Sequence, residues 1–140
     1  MRHFLVGDVH GMSEELMRLV EVLNPQKEDT FVFVGDLVDK GPESAEVVKF
    51  VRELSSRCGV VLVEGNHEEK HRRFRRHLMK GSDVANTMRG AEEMRLISGE
   101  LTEEDVAFLE SAVLFHRVDE HGLLVVHAGI PGDMVEFPAT

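Results

Sequence analysis

Four short polar motifs in this sequence contain the residue types that bind metal ions and phosphate groups. Each motif follows a run of apolar residues and contains a glycine. In chain order they are Gly7-Asp8-Val9-His10-Gly11, Gly35-Asp36-Leu37-Val38-Asp39, Gly65-Asn66-His67-Glu68 and His127-Ala128-Gly129. Aspartate, asparagine and histidine side chains at the ends of separate strands can converge on one small volume, which is how a two-metal site that cleaves phosphate esters is built. The motifs therefore predict such a site.

Five side chains of these motifs are the predicted metal ligands: Asp8, His10, Asp36, Asn66 and His127. Asp8 and His10 are two residues apart, so in an extended segment both side chains leave the same face and can bind one ion. Asp36 can give one carboxylate oxygen to each of two ions, while Asn66 offers an amide oxygen and His127 an imidazole nitrogen. Two carboxylates against two divalent cations leave a net positive charge, which attracts phosphate and lowers the pKa of a bound water.

Three further residues are expected to act on the substrate. His67 is adjacent to a predicted ligand and is suited to protonating the leaving-group oxygen, because the reference pKa of histidine is about 6.5. Asp39 can hold the His67 imidazole and keep it protonated, since a nearby carboxylate raises the pKa of a histidine. Lys40 can bind non-bridging phosphate oxygens as a point charge, without the two-pronged geometry of arginine.

Each motif also has a simpler structural interpretation when it is taken alone. Asp8, Asp36 and Asn66 lie beside glycine, where such residues commonly form turns, and His127 after an apolar run suits a hydrogen-bonded core histidine. Four motifs in order, each after its own strand, favour the metal site over these separate explanations. The remaining histidines lack such a context and are interpreted as non-ligands: His3, His71, His77, His116 and His121.

A run of basic residues follows His67 and comprises Lys70, Arg72, Arg73, Arg75, Arg76 and Lys80. On a helix these residues cover several faces, so they cannot all point at the predicted site. The favoured interpretation is a solvent-exposed helix whose charges pair with acidic neighbours. The alternative is that part of the helix attracts a phosphorylated or nucleotide substrate through a local positive field.

The apolar runs that precede the motifs predict an α/β fold. They are continuous and mostly β-branched or aromatic, which is typical of strands buried on both faces; they span Phe4–Val6, Phe31–Val34, Val60–Val63 and Leu123–Val126. Helix patterns separate the first three, one capped by Ser13 and ended by Pro25, the other with Pro42 in its first turn. This βαβαβ order implies parallel strands with right-handed crossovers. The motifs then lie beyond the carboxyl ends of the strands, where open α/β sheets bind ligands.

The second half of the chain is predicted to be mainly helical before a final hairpin. The pattern indicates helices over His67–Met79 and Asp83–Ile97, and a third helix that Thr102 and Asp105 cap and that carries Val113. Residues 114–118 and 123–126 read as the two strands of a hairpin. The last ten residues, with two prolines, are expected to be irregular.

Composition narrows the class of protein and its partners. A chain of 140 residues with 42% hydrophobic and 30% charged residues is typical of one soluble globular domain. The formal net charge of -10 argues against binding to nucleic acid through the overall field. Cys58 is the only cysteine, so the chain forms no internal disulfide, and no apolar run is long enough for a signal peptide or a membrane span. These features predict a cytoplasmic protein that does not enter membranes.

The motifs resemble those of the calcineurin-like metallophosphoesterases, and most of all the phosphoprotein-phosphatase branch. That branch contains bacterial serine/threonine phosphatases and symmetrical diadenosine tetraphosphatases. The resemblance runs from Gly7 to Gly129 and implies a layered α/β sandwich with two divalent metal ions, manganese first and iron, zinc or nickel as alternatives. It implies one metal held by Asp8, His10 and Asp36, a second held by Asp36, Asn66 and His127, His67 as the general acid and Asp39 as its partner.

Two features depart from the pattern of that family. Lys40 stands where the family usually has arginine, so phosphate would be held less rigidly. The family also places a further histidine ligand and a second phosphate-binding arginine well beyond the position of His127, and the sequence contains neither. Residues 1–140 are therefore expected to form a single domain without the family's C-terminal part, with one mixed sheet, flanking helices and little of the second sheet.

The predicted function is a metal-dependent phosphoesterase in which a metal-bridging hydroxide attacks phosphorus in line. Asp39 beside Lys40 favours a protein serine/threonine phosphatase, because alanine often replaces that aspartate in the dinucleotide hydrolases. The alternatives are a symmetrical bis(5'-nucleosyl)-tetraphosphatase or related nucleotide phosphohydrolase, and a catalytically weak module that binds metal or phosphate. The expected partners are a phosphorylated protein or a nucleotide, and a second copy of the chain that covers the open sheet face.

Overall fold

A parallel three-stranded sheet lies at the centre of the fold in the computed structural model, which describes residues 1–137. Its strands are β1 (His3–Val6), β2 (Thr30–Phe33) and β3 (Gly59–Leu62), and β2 lies between the other two. Val6 is level with Phe33, and Phe33 is level with Leu62. The three strands therefore end at one common edge, directly before the first three polar motifs.

Two helices connect these strands and cover one face of the sheet. They are α1 (Ser13–Leu23) and α2 (Ser44–Leu54). Each helix buries one apolar stripe in the main core, as helical periodicity requires; the stripes consist of Leu16 and Val20 from α1 and of Val47, Val48, Val51 and Leu54 from α2. This arrangement confirms the predicted α/β class and the βαβαβ order.

The predicted starts of both helices are wrong in detail. Met12, not Ser13, is the N-cap of α1, and the Ser13 hydroxyl instead donates a hydrogen bond of 2.8 Å to Glu43 Oε1. Glu43 is the N-cap of α2, so Pro42 lies before the helix and not in its first turn. The contact between Ser13 and Glu43 joins the starts of the two helices. The local sequence pattern of either helix alone does not predict this contact.

Only the central strand has the predicted burial on both faces. Phe31, Val32 and Phe33 have no exposed surface, whereas Leu5 in β1 is 48% exposed. Side chains alternate between the faces of a strand, and the neighbours of Leu5 pack against the main core while Leu5 faces the other way. β1 is an edge strand, and its second face is not covered by the described residues.

Four helices follow the sheet: α3 (Asn66–Met79), α4 (Val84–Thr87), α5 (Ala91–Glu100) and α6 (Glu103–Glu110). The single helix predicted over Asp83–Ile97 is wrong, because the chain leaves the helical conformation before Gly90. Gly90 has a φ of 78° and is the N-cap of α5. Phe74, Ala85 and Met94 pack together, so α3, α4 and α5 share a small core of their own.

A hairpin covers the opposite face of the parallel sheet. Its antiparallel strands are β4 (His116–Val118) and β5 (Leu123–Val125), joined by a short 3₁₀ turn at 119–121. The hairpin buries Val118 and Val125 against Val32 and Val63 of the sheet side. The predicted hairpin is therefore confirmed, but it forms a separate small sheet and the larger sheet is purely parallel.

Two further predictions concern the end of the chain and the membrane. Val113 lies beyond α6 and makes a parallel bridge with Val63, so it is not helical as predicted. The predicted irregular segment holds no strand or helix within residues 131–137, and its last three residues, 138–140, lie outside the described residues. Within the described chain, no helix has the length and apolar character needed to span a membrane.

Candidate active site

The four polar motifs meet at the edge where the strands end. Asp8 follows β1, Asp36 follows β2, Asn66 begins α3 directly after β3, and His127 follows β5. Backbone hydrogen bonds join the first two loops, since the Asp36 carbonyl accepts from the amides of Val9 at 3.0 Å and His10 at 2.9 Å. The fold therefore brings together residues from opposite ends of the sequence, from Asp8 to His127.

Asp36 is the central side chain of the site. It is buried, and its backbone has a φ of 58°. One carboxylate oxygen, Oδ1, accepts a hydrogen bond of 3.1 Å from the His67 amide at the start of α3. The other oxygen, Oδ2, lies 3.6 Å from His10 Nε2 and 3.3 Å from His127 Nε2. The carboxylate is thus anchored through one oxygen and presents the other to two imidazoles.

In both His10 and His127, one ring nitrogen contacts a backbone carbonyl and the other faces side-chain oxygens of the site. His10 Nδ1 lies 2.8 Å from the Val38 carbonyl, and His127 Nδ1 lies 2.8 Å from the Val34 carbonyl. A neutral imidazole has one N–H, and here that N–H is donated from Nδ1 to a carbonyl oxygen. Each Nε2 then presents a lone pair to carboxylate oxygens, an arrangement that a cation between them stabilises. The donor set of imidazole nitrogen and carboxylate oxygen fits a divalent transition metal.

The predicted ligands form two overlapping clusters. The atoms of Asp8, Asp36 and His127 that can bind a metal lie within 4.8 Å of one another, and so do those of His10, Asp36 and His67. Asp36 belongs to both clusters, as a bridging ligand would. His10 Nε2 is also 3.5 Å from Asp8 Oδ2, so His10 is close enough to share an ion with Asp8, as predicted, as well as with His67.

Asn66 completes the second predicted ligand set. Its Oδ1 atom lies 2.9 Å from His127 Nε2. Because the other nitrogen of His127 already faces the Val34 carbonyl, both ring nitrogens face oxygen atoms while a neutral ring has a single proton. Asn66 Oδ1 and His127 Nε2 are close enough to bind one cation together, as the sequence predicts.

His67 and Asp39 form the predicted pair, and a third residue extends it. His67 Nδ1 lies 2.7 Å from Asp39 Oδ2, and His71 Nε2 lies 2.8 Å from Asp39 Oδ1. Burial opposes the ionisation of Asp39, but the hydrogen bonds from His71 and His67 outweigh it and lower the pKa of the Asp39 carboxyl to about 2. The His67 ring packs edge-on to the His10 ring, with centroids 4.9 Å apart.

His71 lies in neither of the metal clusters, in agreement with its interpretation as a non-ligand, but its side chain contacts Asp39 beside the site, which the sequence analysis did not predict. His71 is four residues after His67 on α3, and residues at that spacing lie on one helix face. That spacing was the available signal.

Glu68 is a second residue of the site that sequence reasoning missed. Its buried carboxylate accepts backbone hydrogen bonds from Asp36 at 2.6 Å, Leu37 at 2.9 Å and Gly65 at 3.0 Å. Burial raises the pKa of the Glu68 carboxyl, while these amides oppose that shift. Glu68 is the third residue of α3 and bonds back to the residue before the helix, an arrangement that the position of glutamate in the motif could have suggested. It fixes the backbone that carries Asp36.

Close backbone contacts explain two of the motif glycines. A Cβ atom at Gly65 would collide with Asp36 Oδ1 and would lie 2.5 Å from the Asp36 amide nitrogen. A Cβ atom at Gly35 would lie 2.6 Å from the Gly65 nitrogen, and Gly35 also has a φ of 107°. The second and third motifs can therefore approach only because both lack side chains at this contact.

The loop around Asp39 and Lys40 has a strained backbone. Their φ values are 70° and 68°, in the left-handed region that non-glycine residues rarely adopt. Such strain costs about 1–3 kcal/mol per residue and is concentrated at functional sites. The Asp39 side chain reaches the site, but the Lys40 side chain is exposed. The role of Lys40 in binding phosphate therefore stays a prediction.

Comparison with known proteins identifies the family. Residues 1–137 match the model of the calcineurin-like phosphoesterases. The chain belongs to this family. The resemblance inferred from the four motifs is thereby confirmed, and a hydrolase domain that uses divalent metal ions is what the family predicts.

The curated relatives of this phosphoesterase include two kinds of nucleotide hydrolase. The chain is 33% identical to the asymmetrical bis(5'-nucleosyl)-tetraphosphatase PrpE of Bacillus velezensis, over 95% of this chain and 58% of that protein. It is 34% identical to the symmetrical bis(5'-nucleosyl)-tetraphosphatase of Psychromonas ingrahamii, over 93% of this chain and 45% of that protein. The chain spans about half the length of the relatives it matches.

Solved structures agree with the fold. A crystal structure of a candidate diadenosine tetraphosphatase superposes with a TM-score of 0.72 at 26% identity, over 95% of this chain and 53% of that one. The metallophosphoesterase of Sphaerobacter thermophilus superposes with a TM-score of 0.55 at 21% identity, over 84% of this chain and 43% of that one. The predicted metallophosphoesterase-like α/β fold is confirmed.

The basic run on helix α3 of the phosphoesterase is largely paired with acid groups. Arg72 makes two hydrogen bonds of 2.9 Å to Glu64. Arg73 lies 2.8 Å from a carboxylate oxygen of Glu69, and Arg75 lies 2.7 Å from one of Glu110. For these three arginines the structure favours the interpretation of a paired, solvent-exposed helix over that of a substrate-attracting one.

An open cleft lies beside the predicted second metal position. It has a volume of about 430 Å³, and Asn66 and His127 form part of its wall. Leu114, Phe115 and Met134 also line it. Its volume is within the range of about 300–1,000 Å³ that small-molecule sites occupy, so a substrate could reach the cluster around Asp36 from this side.

Proposed function

We propose that this phosphoesterase hydrolyses bis(5'-nucleosyl)-tetraphosphates with two divalent metal ions. The proposed ligands are Asp8, His10 and Asp36 for one ion, and Asp36, Asn66 and His127 for the other. The names of the relatives support the nucleotide substrate, which was the alternative in the sequence prediction, more than a protein serine/threonine phosphatase.

The observation that carries the proposal is a pair of imidazole nitrogens, one from His10 and one from His127, that both face the Asp36 carboxylate. His10 Nε2 and His127 Nε2 lie 3.6 Å and 3.3 Å from Asp36 Oδ2, while the other nitrogen of each ring is engaged with a backbone carbonyl. A histidine with only a structural role in the core is satisfied by the hydrogen bond from Nδ1 to the carbonyl. It does not need a carboxylate oxygen near Nε2 as well. Two such rings around one carboxylate favour metal binding over the interpretation of turn and core residues.

The residues of the chain divide the reaction between them. Two divalent cations, when bound, supply positive charge for the phosphate and lower the pKa of a water molecule. The water would release one proton to solvent, and the resulting hydroxide oxygen would form the new bond to phosphorus as the bond from phosphorus to the leaving oxygen breaks. His67 donates a proton from Nε2 to that leaving oxygen, because its Nδ1 is held 2.7 Å from Asp39 Oδ2. Lys40 is proposed to bind non-bridging phosphate oxygens.

The remaining proposals concern the cell and the metal. We propose manganese as the physiological ion, with iron, zinc or nickel as alternatives, because imidazole and carboxylate ligands suit all of them. A cytoplasmic location is proposed from the single cysteine, Cys58, which is buried and forms no disulfide.

Pairing of two chains over the exposed face of β1 is proposed from the 48% exposure of Leu5. Residues 1–140 are proposed to form one domain.

The first test combines a metal count with an assay of diadenosine tetraphosphate hydrolysis. We expect two manganese ions per chain and manganese-dependent turnover that exceeds turnover of a phosphoserine peptide. Asp36→Asn should lose the metal and lower kcat by more than about a hundredfold, since it removes the ligand shared by both ions. The matched control is Asp83→Asn, which removes a carboxylate that makes no cap hydrogen bond and should change neither measurement.

The products and the ion count separate the proposal from its rivals. Two molecules of nucleoside diphosphate indicate cleavage at the middle of the tetraphosphate bridge, and a monophosphate with a triphosphate indicates asymmetrical cleavage. Faster turnover of the phosphopeptide would replace the nucleotide proposal with the protein-phosphatase one. One bound ion with no manganese-dependent hydrolysis would leave a weak metal- or phosphate-binding module.

A further inference from the structure

His71 stands one helical turn beyond His67 and touches the same carboxylate. Its Nε2 atom lies 2.8 Å from Asp39 Oδ1, and its side chain is only 1% exposed. Its Nδ1 atom is buried and has no hydrogen-bond partner in residues 1–137. His71 thus has a single polar contact, and that contact is with the partner of the proposed general acid.

The surroundings of His71 determine which nitrogen carries its proton. Contact with a carboxylate oxygen requires an N–H at Nε2, because the ionised carboxylate only accepts hydrogen bonds. A second proton at Nδ1 would leave a buried N–H donor without a partner, at a cost of about 1–3 kcal/mol or more for a charged group. His71 is therefore the neutral imidazole that donates from Nε2 to Asp39.

Asp39 makes three hydrogen-bond contacts, two through its carboxylate and one through its backbone amide. His71 binds Oδ1, His67 binds Oδ2, and the Asp39 amide donates a hydrogen bond of 2.9 Å to Ser44 Oγ. A carboxylate bound through one oxygen can rotate about its Cβ–Cγ bond, whereas one bound through both oxygens cannot do so without breaking a contact. The direction of Oδ2 then sets the plane of the His67 ring and the direction of its Nε2–H bond.

We propose that His71 is a positioning residue that locks the Asp39 carboxylate and so aims His67 at the leaving oxygen of the substrate. This inference depends on the proposed role of His67 as the general acid. His71 touches neither the substrate nor the predicted metal ligands, so it acts only through Asp39. Loss of its hydrogen bond should weaken protonation of the leaving group while the binding of substrate and metal stays intact.

The experiment compares two amides at position 71 on two substrates. In His71→Gln the side-chain amide reaches about as far as Nε2 and can still donate to Asp39, while the shorter amide of His71→Asn cannot. The substrates are phenyl phosphate, whose leaving phenol has a pKa of about 10, and 4-nitrophenyl phosphate, whose leaving group is far more acidic. Protonation of the leaving oxygen matters most for the less acidic phenol.

We expect His71→Asn to lower kcat on phenyl phosphate by about tenfold, a modest part of the 10²–10⁴-fold that a general acid supplies. On 4-nitrophenyl phosphate the loss of kcat should stay below about twofold, because its acidic leaving group needs little protonation. KM and manganese content should not change. His71→Gln should recover most of the loss on phenyl phosphate. The control His77→Asn changes a histidine at the far end of the same helix, which is not among the hydrogen-bond partners of the Asp39 carboxylate in the described residues, and should behave as the unmodified protein.

A double-substitution cycle checks that the effect passes through Asp39. In the Asp39→Asn background, His71→Asn should cause no additional loss on phenyl phosphate, because its only contact is already altered. An equal loss on both phosphates, or an undiminished loss in the Asp39→Asn background, would overturn the positioning role and indicate general damage to the fold.

A further variant separates this inference from the proposed function. His67→Asn should itself lower kcat on phenyl phosphate far more than on 4-nitrophenyl phosphate. If it does and His71→Asn does not, the inference about His71 fails while the proposed acid stands. If His67→Asn shows no dependence on the leaving group, the proposed acid itself is wrong and the inference falls with it.

Discussion

Two buried aspartates, Asp39 and Asp105, have similar electrostatics but very different partners. Each accepts hydrogen bonds from two basic side chains, from His67 and His71 at Asp39 and from Lys49 and Arg52 at Asp105. At both, burial opposes ionisation, and the hydrogen bonds outweigh it and hold the pKa of the carboxyl below its usual value. The carboxyl group alone therefore does not distinguish a catalytic centre from a structural one.

The difference lies in whether the partners can release a proton near neutral pH. Lysine and arginine stay charged, and Asp105 also closes the capping box of α6, where the Thr102 amide donates to it at 2.9 Å. That cluster joins α6 to α2 and stabilises the fold. Histidine as a residue type has a reference pKa near neutrality, so a carboxylate that is paired with imidazole can support proton transfer.

The largest expected effect is the loss of activity on neutralising Asp39. Asp39→Asn should lower kcat on diadenosine tetraphosphate by about a hundredfold, because His67 loses the carboxylate that orients and charges it. Asp105→Asn should keep kcat within about twofold at a temperature where it is folded, since its partners do not reach the site. Steady-state kinetics of the two purified variants provide the comparison.

Equal losses of activity in these two variants would remove the distinction between the two carboxylates. A large loss of kcat in Asp39→Asn with unchanged manganese content would strengthen the distinction between the two carboxylates. Asp39 is not a proposed metal ligand, so such a loss would not come from loss of metal. Circular dichroism of both variants is the control for correct folding.

The next largest effect is the loss of stability on neutralising Asp105. Asp105→Asn should lower the free energy of unfolding at pH 7 by about 2 kcal/mol, because it weakens the contacts to Lys49 and Arg52 and part of the helix cap. Urea denaturation measures this, with Asp83→Asn as the control that should stay within about 0.5 kcal/mol. A loss no larger than that of the control would show that Asp105 is not a structural anchor.

The same carboxylate predicts how that loss depends on pH. The pKa of Asp105 is lower in the folded chain than its ordinary value of 3.8, so its contribution is fully present above pH 3.8 and is lost as the pH falls through the folded pKa. The difference in unfolding free energy between the unmodified protein and Asp105→Asn should therefore be constant from about pH 5 to 7 and shrink below about pH 4. A difference that grows on acidification would contradict this assignment.

The smallest effect is expected where the charges are exposed. Arg73 and Glu69 pair on the surface of α3 with 54% and 39% of their side chains exposed. Arg73→Ala should lower the free energy of unfolding by less than about 0.5 kcal/mol, whereas Arg72→Ala should cost about 1 kcal/mol because its pair with Glu64 is doubly hydrogen-bonded and less exposed. Equal costs in the same urea assay would mean that exposure does not set the strength of these pairs.

The family, the fold class and the convergence of the predicted ligands could be inferred from the sequence because the signals are local. An apolar run followed by a glycine and an aspartate identifies a strand end, and parallel strands place all such ends at one edge. Asp8, Asp36 and His127 come within coordinating distance of one another as this logic requires. The assignment of each ligand to a particular ion stays a prediction.

The missed features depend on contacts between distant segments. Glu68 binds the backbone of the Asp36 loop about 30 residues earlier, and Ser13 binds Glu43 across two helices. Neither partner can be read from the residues around it. The contact of His71 with Asp39 is also missing from the sequence analysis, which interprets His71 only as a non-ligand, although the four-residue spacing from His67 places both on one helix face. The helix predicted through Gly90 is wrong because the hydrophobic periodicity continues across the break between α4 and α5. There Met88 is extended and ends α4, and Gly90, with its left-handed backbone, is the N-cap of α5.

The contact of Gly65 with Asp36 has a consequence for mutational scanning. Its φ of −88° is one that any amino acid tolerates, so conformation alone would permit substitution. The obstacle is the oxygen and nitrogen of Asp36 at the place where a methyl group would stand. In a saturation library, substitutions at Gly65 should therefore lower activity as much as substitutions of the proposed catalytic residues. Even alanine, usually a neutral replacement, should be harmful at this position because its methyl group clashes with Asp36.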